Sequence, residues 1–106
     1  MAKYLLQGSY SADGAKGLLK DGGSKRQAAA RALVESLGGK METLYFAFGQ
    51  NDIVAIVDMP DAASAAAASL AVGASGALTT NLTVLLTPEE IDQATKKSAK
   101  YTPPGR

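Results

Sequence analysis

Between Met41 and Met59 the chain contains two short runs that are apolar on both of their faces. Leu44, Phe46 and Phe48 alternate with Thr43, Tyr45 and Ala47; beyond Gly49-Gln50-Asn51, Ile53, Ala55 and Val57 alternate with Val54 and Ile56. The two-residue period predicts strands over 41–48 and 52–59, joined by a tight turn at Gly49-Gln50-Asn51. An antiparallel hairpin with one wet face shows a clean apolar-polar alternation, and this one does not. Whatever fold the chain adopts must cover this hairpin on both sides.

The flanking segments narrow the choice. Lys3–Tyr10 reads as a strand, with Tyr4, Leu6, Gly8 and Tyr10 on one face. Ser11 is placed to cap a helix running to Lys20, and Asp13 suits its positive end. Asp21-Gly22-Gly23 interrupts that helix. Ser24-Lys25-Arg26-Gln27 has the form of a capping box that restarts it, and Gly38-Gly39 ends it. Pro60-Asp61 opens a third helical stretch, built almost wholly of Ala and Ser and reaching Val72. Small side chains there let its backbone lie close to its support. Ala77–Leu86 reads as a fourth strand. Thr87-Pro88-Glu89-Glu90 starts a short terminal helix, with Thr87 as cap and Pro88 at the first helical position.

Strand, broken helix, hairpin, helix, strand is the split β-α-β order. It predicts an α+β, ferredoxin-like β-α-β-β-α-β domain: a four-stranded antiparallel sheet with helices on one face and a short C-terminal helix. Residues 1–100 form this single domain and 101–106 a flexible tail. Right-handed crossovers put both helices on one side and leave the other sheet face bare. Exposed apolar surface is unfavourable by roughly 25 cal/mol per Å², and large patches mark interfaces. The expected cover is a second copy, stacked sheet on sheet. The other candidate is the terminal helix or tail of the same chain.

Composition removes several chemistries. The 106 residues include no Cys, His or Trp. Thiolate sites, disulfides, histidine general bases and the usual haem ligand are thereby excluded, and no metal or cofactor is expected. Eleven basic and ten acidic residues give a net charge of +1, so a nucleic-acid partner is not expected. No run approaches the ~20 apolar residues of a membrane span, and the chain reads as cytoplasmic.

Candidate site residues remain. Ser24, Lys25 and Arg26 at a helix start, beside two glycines, form the best anion site in the chain; the alternative is a cap with solvated charges. Tyr10 and Tyr45 belong to an aromatic group on neighbouring strands that lines either a pocket or a core. Asp52, beside Asn51, serves either as a base or as a turn residue bonding nearby amides. Glu89, Glu90 and Asp92 read as complements to a helix dipole.

The run Phe46-Ala47-Phe48-Gly49-Gln50-Asn51-Asp52 followed by Ile53–Asp58 resembles the signature of the GYD domain family. So do the early Gly-Ser-Tyr, the Gly-Leu-Leu-Lys…Gly-Gly-Ser-Lys-Arg stretch and the late Leu-Leu-Thr-Pro-Glu-Glu. The resemblance spans Lys3 to about Lys97. It implies a small ferredoxin-like domain related to dimeric α/β barrels. Gly49 and Asp52 match the family's glycine and aspartate, whereas Asn51 stands where the family has tyrosine. Related barrels include haem enzymes and cofactor-free monooxygenases; the haem branch relies on histidine, which this chain lacks.

Three functions are consistent with these features. The first is a homo-oligomeric, non-catalytic module that binds a small anionic or aromatic ligand or acts in assembly. The second is a cofactor-independent, monooxygenase-like barrel enzyme acting on a small metabolite through Asp52, Tyr10, Tyr45 and Arg26. The third is an anion or nucleotide sensor at Ser24–Arg26.

Overall fold

A computed structural model describes all residues from Met1 to Arg106. The elements run β1 (Ala2–Tyr10), α1 (Ala12–Asp21), α2 (Gly23–Ser36), β2 (Lys40–Phe46), β3 (Ile53–Met59), α3 (Ala62–Ala74), β4 (Leu78–Leu85) and α4 (Pro88–Thr95). The strands form one antiparallel sheet in the order β2-β3-β1-β4, which is the ferredoxin-like arrangement. The broken first helix is two helices, so the order is β-α-α-β-β-α-β-α.

Local chemistry accounts for the helix ends. The Ser11 hydroxyl accepts the Gly14 amide at 3.1 Å and starts α1. Asp61 accepts the Ser64 amide at 2.7 Å and starts α3. Thr87 and Glu90 form a complete capping box on α4, with Pro88 in its first turn. Gly38 adopts φ +81° just after α2, the left-handed conformation that a terminating glycine supplies without strain.

Three expectations need correction. Ser24 does not cap α2: Gly22, at φ +81°, is both the last cap of α1 and the first of α2, and no side chain caps α2. One left-handed glycine lets the new helix begin before Ser24, which places Ser24 inside the first turn. The β2–β3 connection is not a tight turn. Residues 47–52 form a wider loop closed by the Ala47 amide donating to the Asp52 carbonyl at 2.8 Å. Asp52 and Phe48 therefore lie in the loop and not on the strands.

The core lies between the sheet and the helices. Tyr4, Met41, Leu44, Ala55, Val57 and Met59 from the strands meet Val34 of α2 and Ala65 of α3. Met59 is wholly inaccessible, and Gly39 fits only because it lacks a side chain: a Cβ there would overlap the Met59 sulfur and crowd the Asp58 carbonyl. The core is thin, because 12 of 106 residues are buried.

The opposite sheet face has no helix over it. Leu5 pairs with Ile56 in register, and Val54 pairs with Tyr45. Together they give this face an apolar centre. At its rim the Lys3 ammonium bridges Asp58 at 3.0 Å and Glu42 at 3.1 Å. Glu42 sits at the register shift between Met41 and Thr43 that brings it within reach.

Candidate functional site

The site is assembled where β1 ends and α2 begins. Asp21, the last residue of α1, holds Lys25 Nζ and Arg26 Nη1, each at 3.6 Å. Such partly exposed pairs contribute little stability, but they position the cations. The Asp21 carboxylate already balances the charge that Lys25 and Arg26 were expected to offer an anion. Ser24 and Lys25 are exposed, whereas Arg26 is half-buried and turns toward the sheet end where Tyr10 lies.

Tyr10 is the last residue of β1 and shares the helix-facing side with Tyr4, Leu6 and Gly8. Its backbone amide donates to Asp52 Oδ2 at 2.9 Å, and the Asp52 amide donates to the Gly8 carbonyl at 2.8 Å. Asp52 thus ties the β2–β3 loop to β1 through backbone bonds, as a turn residue does. Burial raises the Tyr10 phenol pKa above the usual tyrosine value; the Arg26 charge opposes the shift and the Asp52 charge reinforces it.

Above this end of the sheet, α2 and α3 do not close on each other. A cleft of about 270 Å³ lies between them. Its floor is formed by Leu6, Ile53 and Ala55, and its walls by Ala30 and Leu33 of α2 and Ala68 and Val72 of α3. Polar groups gather where β1 ends and β4 begins: Tyr10, Arg26, Ser75 and Thr80. Thr80 is tied to α3 by a 2.7 Å hydroxyl-hydroxyl bond with Ser69. The alanines that were expected to let α3 lie close do so at Ala65 and Ala68, which are buried. Facing α2, the same small side chains leave the gap unfilled.

Tyr10 also borders a second, more open hollow of about 560 Å³ between α1 and the β2–β3 loop. Leu18, Leu19, Phe46, Phe48 and Asp52 line it, and Phe48 is 99% exposed. Asn51 lies half-buried in the adjoining loop. Tyr45 is elsewhere: it is 70% exposed on the bare sheet face, across the sheet from Tyr10.

Of the residues singled out in sequence, the structure brings together Tyr10, Arg26 and Asp52, with Ser24 and Lys25 at the margin. Asp21 and the apolar walls of the cleft were not anticipated. Asp21 carried a signal, because it lies four residues before Lys25 and five before Arg26. The cleft carried none, because alanines look the same in sequence whether or not a gap separates them.

No group of three or more potential metal-ligating side chains is present, and no helix is long and apolar enough to cross a membrane. In comparison with known families, residues 4–95 match the GYD domain. No curated protein and no solved structure matches the chain.

Proposed function

The chain belongs to the GYD domain family, and from that premise we propose that it is a non-catalytic, homo-oligomeric module that binds a small ligand in the cleft between α2 and α3. The observation that carries this reading is the cleft itself: about 270 Å³ of largely apolar space with its polar groups gathered at one end. An apolar cavity of about 150 Å³ accommodates a benzene ring, so this volume suits one ring or a short aliphatic chain bearing one polar head. Arg26 and Tyr10 are the groups that would meet that head, and a guanidinium favours a carboxylate or another planar anion. The binding reading is preferred to catalysis because the Asp52 carboxylate is engaged by the Tyr10 amide in holding a loop.

Assembly is the other half of the proposal. The bare sheet face, with Leu5, Val54 and Ile56 at its centre, is the proposed surface of self-association.

Native mass spectrometry of the purified chain tests both parts. The expected spectrum shows a multiple of the chain mass carrying a bound small molecule. Ligand-free protein that shows no thermal shift with any of a panel of aromatic and aliphatic carboxylates would overturn the binding reading. A monomeric mass at micromolar concentration would overturn the assembly reading.

A further inference from the structure

The C-terminal segment is folded but unsupported. Every residue from Leu86 to Thr102 is exposed, among them Leu86, Ile91 and Tyr101. α4 has a complete capping box but only eight residues, and a helix that short is marginal in water without tertiary packing. The match to the domain family runs through Thr95, so α4 belongs to the domain pattern.

The shape of the whole chain indicates the same lack of a partner. Its radius of gyration is 16.9 Å, against about 13 Å for a compact domain of this length. Its accessible surface is 7263 Å², against about 5,500 Å² for a compact monomer of 10.8 kDa. The excess of about 1,700 Å² is ample for a standard interface, which buries about 800 Å² on each partner. A surface of that size, together with a bare apolar sheet face on the same chain, fits a second copy of this chain.

We propose that residues 86–102 are an exchanged arm: in a two-fold pair, α4 and the segment after it lie across the bare sheet face of the partner chain. Ile91 and Tyr101 are the anchors, and Leu5, Val54 and Ile56 are the surface they meet. The arm has the reach. α4 spans about 12 Å, and the residues from Lys96 to Thr102 add up to about 23 Å when extended. Four strands span about 14 Å between the outer two. This inference rests on the reading that the bare face is the assembly surface, and it specifies what covers that face. The pairing is isologous, so each chain gives one arm and receives one.

The chain has no cysteine, which makes a disulfide test clean. The full-length double variant Ile56→Cys/Ile91→Cys is oxidised in a glutathione buffer, with circular dichroism verifying its fold. Bonds are mapped by peptide mass spectrometry and assembly by native mass. The expected result is a covalent dimer linked between positions 56 and 91 of different chains. A 56–91 link within one chain would overturn the proposal, because the arm then folds back on its own sheet. A native dimer joined through 56–56, or lacking any bond in both this variant and Leu5→Cys/Ile91→Cys, would overturn the arm but leave sheet-on-sheet assembly standing. A native monomer without an interchain bond would overturn both.

Discussion

Replacing Ala68 by Leu tests whether the cleft between α2 and α3 is truly unfilled space. Ala68 is buried on α3 and lines the cleft, so the larger side chain would project into about 270 Å³ of largely apolar volume. Three added carbons, each worth about 0.8 kcal/mol when buried, give at most about 2.4 kcal/mol. Rotamer freedom lost by leucine takes back about 0.5–1 kcal/mol, and helix propensity changes little between the two residues. The expected net stabilisation is about 1–2 kcal/mol. For a domain of this size, 1 kcal/mol raises Tm by about 4–8 °C. Calorimetry at matched protein concentration measures the shift without confusing it with assembly. Ligand carried by the unmodified chain in native mass spectra should be lost from the variant while its oligomer mass is unchanged. A destabilisation of about 1–3 kcal/mol, as overpacking produces, would refute the reasoning, because it would mean that α2 and α3 already touch around Ala68.

Other outcomes follow from single contacts. A Cβ on Gly14 would overlap the Ala77 carbonyl, whereas one on Gly17 would meet nothing within 4 Å; Gly14→Ala should therefore destabilise by about 1–3 kcal/mol and Gly17→Ala stabilise by about 0.5–1 kcal/mol in urea titrations. Arg26→Ala should raise the midpoint of the Tyr10 phenol, since the Arg26 charge now opposes the upward shift from burial; ultraviolet titration, with Tyr10→Phe identifying the signal, reads it, and an unchanged midpoint would separate the two side chains. The Asp61 carboxyl is held below the usual value of 3.8 by the Ser64 amide. Its contribution to stability is present above that value and is lost as pH falls through the lower folded one. Asp61→Asn should flatten this part of the acid unfolding curve, and identical curves would show the cap to be energetically silent.

Much of the fold was legible because its signals are local. Strand period, the Ser11 and Thr87 caps and the glycines after α2 each act over a few residues, and all of them sit where their chemistry predicts. The Ser24 capping box was equally well written in sequence and did not form. Its amides were pre-empted by Gly22, whose left-handed φ starts α2 early. The same limit applies to Asp52. Its identity leaves base and turn residue equally open, and the difference lies in the Tyr10 amide, 42 residues away in sequence, that its carboxylate reaches.

By itself, the sequence determined the order of elements, the apolar character of both hairpin faces and the chemistries that a chain without Cys or His cannot perform. Those properties follow from residue type and short-range spacing. Only the tertiary structure decided which side of the sheet each aromatic faces, so that Tyr10 overlooks the cleft while Tyr45 lies across the sheet from it. It alone decided that alanines on α2 and α3 leave a gap, and that Asp21 gathers Lys25 and Arg26 beside it. These outcomes depend on distances between segments remote in sequence. Such distances are set by how whole elements pack and are encoded in no single stretch of residues.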